Sequence, residues 1–349
     1  MKAAVFDGPG QISIQELPYP IAGTGGIVIK VSECGICGSD LHSFLEGAFI
    51  APGQVMGHEF SGPITQVGSG VEGLKIGDRV TAVPLSTCGR CPRCLEGSHH
   101  LCETGLASSV AYGLPGAFAE YVRVPDVVLG GNVHLIPDNV SYAAAAMVEP
   151  IAVGLHAAKS ANPGPTDTCV VIGLGSIGLN CVQMLRVCGA GKIIGIDISP
   201  ARLELAKQLG ADTVINGKEQ DALMAIQAIT GIGAYGVGAR ADIVIEASGV
   251  PALLAQAISM TRAGGKLRIA ALYEGNVSID ANQIVQKEMN VAGTFAYRGE
   301  FSQVLQMLSD GRATAESMIT HTFSLDQAAE AFTAQLSKDT SIKVQIAPR

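Results

Sequence analysis

The sequence lacks a surplus of basic residues: 23 Lys and Arg stand against 31 Asp and Glu, which leaves a formal charge of −8. This balance argues against nucleic acid as a partner. No apolar run approaches the roughly 18 residues of a membrane span, so we expect no membrane partner. The N-terminus has no long apolar stretch behind a basic start, so we expect no secretion signal and a cytoplasmic protein.

Charged residues are scarce, at 15% of the chain, whereas 48% of the residues are hydrophobic. This composition excludes a disordered or fibrous protein and is typical of a globular one. Because 349 residues are too many for one ordinary core, we expect two domains. The chain contains no internal repeat and no low-complexity segment.

The first 150 residues predict a β domain. Short alternating runs at residues 26–31, 63–67 and 78–83 predict strands, and no long helical periodicity accompanies them. We therefore expect a barrel-like or sandwich-like body in this part of the chain.

From about residue 150 to residue 290, predicted strands and helices alternate. Strands are predicted at residues 169–172, 192–197, 242–246 and 266–270, and helices at residues 200–209 and 251–261. This alternation predicts βαβ units and a parallel sheet with helices on both faces. A helix, a strand and a final helix opened by a capping box at Ser324 are predicted after residue 290.

A glycine-rich motif follows the first of these apolar strands and opens a helix. In this context such a motif predicts a dinucleotide site, because its glycines permit a tight turn and the close approach of a pyrophosphate to the helix N-terminus. The motif residues assigned to the cofactor are Gly173, Gly175, Ser176, Ile177 and Gly178.

Asp197 ends the next predicted strand, about twenty residues after the last glycine of the motif. A carboxylate there accepts hydrogen bonds from the adenosine ribose and repels a 2′-phosphate, which favours NAD over NADP. Arg202 lies a helical turn further on, and we expect it to flank the adenine or to point to solvent.

Four cysteines fall within one short segment, which in a chain without a secretion signal indicates metal ligation and not disulfides. Four thiolates close the tetrahedral shell of a structural zinc and leave no open position for chemistry. His99 and His100 lie in the same segment, but we expect them to be surface histidines. The predicted ligands are Cys88, Cys91, Cys94 and Cys102.

A second, open metal site is predicted from Cys37, His58 and a carboxylate. Three protein ligands and one free position describe a catalytic zinc. Two carboxylates compete for the third place: Glu59, next to His58, and Glu149, near the end of the first domain. Adjacent residues cannot easily face one ion from a strand, although they can at a turn.

Other polar residues near Cys37 have predicted roles around this ion. Asp40 is placed to orient a ligating imidazole. Ser39 offers a hydroxyl beside the reacting oxygen, and His42 is placed to receive the proton that Ser39 passes on. The remaining cysteines, among them Cys34, Cys169 and Cys181, are predicted to be inert core thiols.

Together these features resemble the zinc-dependent medium-chain dehydrogenase/reductase family over essentially the whole chain. The motifs that carry the resemblance are Cys37-Gly-x-Asp40-x-His42, Gly57-His58-Glu59-x-x-Gly62, Gly77-Asp78-Arg79-Val80, the four-cysteine lobe, Gly116-Ala-Phe-Ala-Glu120-Tyr121, Glu149-Pro150, and residues 173–178 with Asp197.

The resemblance implies a GroES-like β catalytic domain, formed by residues 1–150 and 291–349, with a structural zinc lobe at residues 88–102. It also implies a Rossmann domain, a doubly wound parallel sheet, at residues 151–290. A homodimer or homotetramer is implied as well.

Within the family, Glu149-Pro150 resembles the polyol, butanediol and threonine dehydrogenase branch, whereas better-known alcohol dehydrogenases have a cysteine ligand there. This keeps both Glu59 and Glu149 as candidate ligands. By the same resemblance, Ser248 lies in a nicotinamide-side contact and Arg298 in a pyrophosphate-side contact with the cofactor.

The expected activity is reversible oxidation of a secondary alcohol (a polyol, vicinal diol or related hydroxy compound) to a ketone, with hydride transfer to NAD and two zinc ions per chain. The substrate is thus a small molecule. One alternative is a non-enzymatic NAD(H)-binding or redox-sensing protein, in which the cysteines form a thiol switch. Another is a zinc-lobe protein that has lost catalysis.

Overall fold

The computed structural model describes residues 1–348, apart from the side chain of Tyr235. The strands are β1 Lys2–Gly8, β2 Gln11–Glu16, β3 Ile27–Lys30, β4 Glu33–Gly35, β5 Glu59–Val67, β6 Arg79–Ala82, β7 Tyr121–Val124, β8 Val133–Leu135, β9 Thr168–Ile172, β10 Lys192–Asp197, β11 Thr213–Asn216, β12 Ala241–Glu246, β13 Thr261–Ile269, β14 Asn290–Gly293, β15 Ile319–Ser324 and β16 Lys343–Ala347.

The helices lie mostly in the second half of the chain. They are α1 Gly38–Glu46, α2 Pro92–Leu95, α3 Tyr142–Ala146, α4 Val148–Ala161, α5 Ser176–Val187, α6 Pro200–Gln208, α7 Ala222–Thr230, α8 Pro251–Met260, α9 Ala281–Gln286, α10 Phe301–Ser309 and α11 Ala328–Leu336. Within residues 1–348, no helix combines the length and the apolar character needed to cross a bilayer.

The chain divides into two units, Met1–Glu149 together with the segment from Arg298 onward, and Pro150–Tyr297. The sequence placed the return to the first unit at residue 291, seven residues before this division at Arg298. β14 pairs in parallel with β13, so the chain leaves the second unit only after that strand. The other boundary lies inside α4, a helix that the sequence did not predict.

The first unit contains a largely antiparallel sheet in the order β15-β16-β4-β5-β3-β7, in which β6 also pairs with β5 and β8 pairs with β6. Its C-terminal strand β16 is antiparallel to β4, which ties the end of the chain to the strands around the metal ligands. The core between these strands includes the fully buried rings of Phe6, Phe60, Phe118 and Phe332.

The second unit contains a parallel six-stranded sheet in the order β11-β10-β9-β12-β13-β14. β9 lies in the middle, and its residues Cys169, Val170, Val171 and Ile172 are at most 1% exposed. Strands covered on both faces need continuous apolar runs, and burying each such side chain contributes about 1.5–3 kcal/mol. The turn after this strand therefore lies at the carboxyl edge of a parallel sheet, where such folds bind ligands.

Candidate functional site

The structure brings Cys37, His58 and Glu59 together. One ligand atom from each lies within 4.8 Å of the other two. Cys37 is the N-cap residue of α1, and Glu59 is the first residue of β5. His58 and Glu59 both reach the site because His58 precedes the strand at a turn where Gly57 has a φ of +94°. A Cβ at Gly57 would lie only 2.8 Å from the ring of Phe118, so this turn requires glycine.

Asp40 lies between two of the candidate ligands, Cys37 and His58. Its Oδ2 atom accepts a hydrogen bond from the Cys37 amide at 2.9 Å, and its Oδ1 atom lies 3.6 Å from His58 Nδ1. Asp40 and His58 are both about 95% buried. A carboxylate on the far nitrogen of an imidazole directs the other nitrogen towards a metal, which is the role predicted for Asp40.

Glu59 has a lysine partner that the sequence analysis missed. Lys343 Nζ lies 2.7 and 2.6 Å from the two carboxylate oxygens of Glu59 and donates to the carbonyl of Ile36 at 3.0 Å. Both side chains are almost completely buried. No sequence signal marks this pair, because 284 positions separate its members.

The Lys343 ammonium keeps its charge in this environment. Burial alone would lower the pKa of Lys343, but Glu59, then Cys37 and more weakly Glu149 raise it overall. Glu149 is thus within electrostatic reach of the same ammonium, but among the described residues the three-ligand group contains Glu59 and not Glu149. Gly35 leaves room for this arrangement, since a Cβ there would overlap Glu59 Oε2.

Ser39 and His42 are three positions apart on α1, so they share one face of that helix. The Ser39 Oγ atom lies 3.2 Å from the Tyr112 hydroxyl. The Tyr112 ring packs near His58, with 5.6 Å between ring centroids. Burial is the main cause that raises the pKa of Tyr112, so its phenol stays protonated. Tyr112 was missed because it belongs to no motif.

The four cysteines of the lobe also converge, and their sulfur atoms lie within 4.8 Å of one another. Backbone amides donate to three of the sulfurs: Cys88 N to Cys102 Sγ at 3.3 Å, Cys91 N to Cys88 Sγ at 3.3 Å, and Cys94 N to Cys91 Sγ at 3.5 Å. Backbone amides from Arg90 and Cys91 lower the pKa of Cys88 to about 6. Amide-stabilised thiolates are the donors that zinc requires.

Arg298 has contacts other than those expected of it. Its Nε atom donates to the carbonyl of Gly97 at 2.7 Å, and its Nη2 atom donates to the carbonyl of Glu96 at 2.9 Å. These carbonyls end the short helix α2 of the lobe. The guanidinium therefore holds the cysteine lobe, and the cofactor contact suggested by the resemblance remains only a prediction.

The glycine motif has the geometry of a dinucleotide turn. Gly173 has a φ of +84°, and a Cβ there would lie 2.7 Å from the backbone of Ser248. A Cβ at Gly178 would overlap the Gly173 carbonyl, whereas a Cβ at Gly175 would have no atom nearer than 4.0 Å. Ser176 begins α5, and its Oγ atom is buried without a hydrogen-bond partner among the described residues. Open space and orphan donors at a helix N-terminus fit a phosphate.

Asp197 accepts three backbone hydrogen bonds. Leu174 N donates to Oδ2 at 2.6 Å, and Ile198 N and Ser199 N donate to Oδ1 at 2.7 and 2.9 Å. The carboxylate thereby links the glycine turn to the start of α6, and Oδ2, which accepts only one of these bonds, retains a lone pair for a ribose hydroxyl. Arg202 points back to the glycine turn, with its Nη1 atom 4.0 Å from the Cβ position of Gly175.

Ser248 belongs to a buried polar cluster at the end of β12. Glu246 is completely buried, and its carboxylate accepts hydrogen bonds from the hydroxyls of Ser248 and Tyr273. It also accepts from the Ser248 amide at 2.8 Å. Since Ser248 lies against Gly173, this cluster positions the loop after β12 against the glycine turn.

Two protein-family models match the chain. A zinc-binding dehydrogenase model matches residues 176–310, and an alcohol dehydrogenase GroES-like domain model matches residues 23–138. The chain is 37% identical over 354 residues to a sorbitol dehydrogenase of Bacillus subtilis, covering 100% of this chain and 97% of that one. It is 36% identical to a (R,R)-butanediol dehydrogenase of the same organism, with all of both chains covered.

Two similar solved structures contain a nicotinamide cofactor. An Escherichia coli CFT073 protein described as a short chain alcohol dehydrogenase, complexed with NADH, has 31% identity and a TM-score of 0.90 over 99% of each chain. A Sinorhizobium meliloti 1021 protein described as a zinc-binding dehydrogenase, bound to NADP, has 29% identity and a TM-score of 0.89 over 99% of each chain. The prediction of a GroES-like domain with a Rossmann-type parallel sheet is confirmed, and the non-enzymatic alternative finds no support.

Proposed function

The chain belongs to the zinc-dependent medium-chain dehydrogenase/reductase family, and from this premise we propose that it oxidises a polyol or vicinal diol with NAD. It is an enzyme that oxidises a secondary alcohol to a ketone by hydride transfer to a nicotinamide cofactor. The observation that carries the proposal is the convergence of Cys37, His58 and Glu59 within 4.8 Å. Thiolate, imidazole and carboxylate suit a catalytic zinc.

Cys37 and His58 hold the catalytic zinc in this proposal. When bound, the ion supplies a Lewis acid that lowers the pKa of the substrate hydroxyl. Glu59 either joins these ligands or remains with Lys343, and Glu149 is the other candidate for the third place. Cys88, Cys91, Cys94 and Cys102 hold the structural zinc.

Ser39 and His42 move the substrate proton. Ser39 Oγ, which shares a hydrogen bond with the Tyr112 hydroxyl, takes the proton of the hydroxyl that is oxidised as it releases its own proton. His42, on the same face of α1, receives the proton from the direction of Ser39 and passes it to water. Both residues are therefore proposed as proton carriers and not as ligands.

The cofactor site is proposed at the carboxyl end of β9. The cofactor-binding residues are Gly173, Gly175, Ser176, Ile177, Gly178, Asp197, Arg202 and Ser248. The remaining lone pair on Asp197 Oδ2 and the negative charge of the carboxylate favour ribose hydroxyls over a 2′-phosphate, and this supports NAD.

The substrate class rests on the relatives. Sorbitol and butanediol dehydrogenases cover the whole chain, and both names denote compounds with adjacent hydroxyls on secondary carbons. We further propose a cytoplasmic homotetramer or homodimer.

The test is NAD-dependent oxidation of sorbitol, 2,3-butanediol and threonine, followed at the NADH absorbance, with zinc measured by mass spectrometry. Two zinc ions per chain are expected. Cys37→Ser should abolish turnover and remove one zinc, whereas the matched variant Cys188→Ser, outside both cysteine groups, should keep both. Full turnover in Cys37→Ser would overturn the catalytic-zinc assignment.

A further inference from the structure

Tyr112 lies at the candidate catalytic site, yet neither metal binding nor proton transfer requires its hydroxyl. We propose that the Tyr112 hydroxyl recognises the neighbouring, unreactive hydroxyl of a vicinal diol or polyol. This inference rests on the proposed function and identifies the residue that selects diols over simple alcohols.

The position of the phenol supports this role. The Tyr112 Oη atom lies 3.2 Å from Ser39 Oγ, and its ring packs on His58 with 39° between the ring planes. The Tyr112 hydroxyl thus lies one hydrogen-bond length from Ser39 Oγ, the atom assigned to the hydroxyl that is oxidised. The two oxygens of a gauche vicinal diol have a similar separation, so each can meet one of the two protein hydroxyls.

The chain around Tyr112 is held in an unusual backbone conformation. Ala111, a non-glycine residue that is 3% exposed, has a φ of +72°. This strain is retained because the Ala111 amide bonds the Leu114 carbonyl at 2.9 Å and the Leu114 amide bonds the Ser109 carbonyl at 3.0 Å. Backbone strain of this kind collects at functional sites, where it orients a side chain.

Two further contacts fix the tyrosine in place. Gln54 Nε2 donates to the Tyr112 carbonyl at 3.0 Å. Gly113 follows directly, and a Cβ at that position would overlap the carbonyl of Ala107, so the turn admits only glycine there. Tyr112 is therefore presented rigidly, as recognition of a substrate hydroxyl requires.

The Tyr112 hydroxyl distinguishes a role in substrate recognition from a role in packing alone. A ring that only covered His58 would need no phenolic oxygen, and burying that oxygen is costly unless it has partners. Ser39 supplies one partner, and the second substrate hydroxyl would supply another. A site built to bond a hydroxyl discriminates against the analogue that lacks it.

The decisive experiment compares Tyr112→Phe with the wild type on 2,3-butanediol and on 2-butanol, using NAD and the zinc-loaded enzyme. The kcat/KM for the diol should fall about tenfold, mainly through KM, because one neutral hydrogen bond is lost. The kcat/KM for 2-butanol should stay within about twofold, because this substrate never uses that bond. Tyr121→Phe, whose ring instead packs on Tyr19 at 4.3 Å, should change neither value.

A binding measurement provides a readout independent of turnover. Calorimetric titration of the enzyme–NADH complex with 2,3-butanediol should show about tenfold weaker binding in Tyr112→Phe, with the zinc content unchanged. An equal loss on both substrates would overturn the inference, because the hydroxyl would then serve the common proton step. No loss on either would also overturn it. A wild type inactive on every secondary alcohol would instead overturn the proposed function, and this inference with it.

Discussion

Lys343 gives the Glu59 carboxylate a permanent counter-cation inside the first unit. The pair is almost fully buried, at N–O distances of 2.6 and 2.7 Å. A buried ion pair adds little net stability, but removing one partner leaves an uncompensated charge. If it left the proposed zinc, Glu59 would therefore still have a cation beside it and would not become an isolated anion.

Replacing Lys343 with Met should destabilise the fold by about 3–5 kcal/mol in the zinc-depleted protein, because Glu59 is left buried without a cation. The loss should be smaller with zinc bound, since the metal then neutralises Glu59. Urea unfolding of both forms measures the difference. The double variant Glu59→Gln/Lys343→Met should recover part of the stability. Equal losses with and without zinc would show that Glu59 does not reach the metal.

Asp197 accepts backbone hydrogen bonds and is proposed to select NAD over NADP. Replacing it with Asn tests the second role separately. Asp197→Asn retains an acceptor oxygen for part of the three backbone amides but removes the negative charge. The ratio of kcat/KM for NAD to that for NADP should fall at least about tenfold, because the 2′-phosphate is no longer repelled. Steady-state kinetics with both cofactors measure this ratio. An unchanged ratio would assign the discrimination to other residues.

At the level of elements, α1 and the cysteine lobe organise the two metal sites. Cys37 is the N-cap residue of α1, and Ser39 and His42 follow on the same helix. The lobe has little regular structure of its own. It relies on its amide–sulfur hydrogen bonds and on the two bonds that Arg298 donates to the end of α2.

Arg298→Leu should loosen the lobe, because two carbonyls at the end of α2 lose their donor. Limited proteolysis within residues 88–102 should become several times faster, while NADH affinity measured by fluorescence stays unchanged. Arg93→Leu, which removes an exposed ion pair with Glu96 in the same lobe, is the control and should have little effect. Weaker NADH binding with an unaffected lobe would restore the cofactor role first expected of Arg298.

At the level of the whole molecule, the C-terminal segment belongs to the first unit, although the middle of the chain forms the second. β16 pairs with β4, and its first residue, Lys343, contacts Glu59. α11 contributes Phe332 to the core. Strand pairing and burial of the aromatic ring both stabilise the packing of the C-terminal segment in the first unit. The catalytic site therefore depends on both ends of the sequence.

The proposed assembly is tested by light scattering during size-exclusion chromatography. A chain of 35.9 kDa should elute at two or four times that mass. Because family oligomers close by symmetry, the mass should not change with protein concentration in the micromolar range. A species of one chain mass at all concentrations would contradict the assembly.

The sequence by itself determined the class of reaction and the parallel-sheet fold of the second unit. Apolar strands followed by glycine turns indicated a parallel sheet, because a strand buried on both faces needs a continuous apolar run. The cysteines and histidines indicated two metal sites, because their residue types and clustering are typical of zinc ligands. β10 has the predicted bounds, residues 192–197. The choice between Glu59 and Glu149 could not be made from spacing.

Only the tertiary structure decided which distant residues meet. It paired Lys343 with Glu59 and Tyr112 with Ser39, and it turned Arg298 to the cysteine lobe. Each of these contacts joins residues more than 70 positions apart and leaves no periodic or spacing signal, because it depends on how strands from remote parts of the chain align. The sequence motifs thus identified the candidate site, while the fold determined which distant side chains contact its residues.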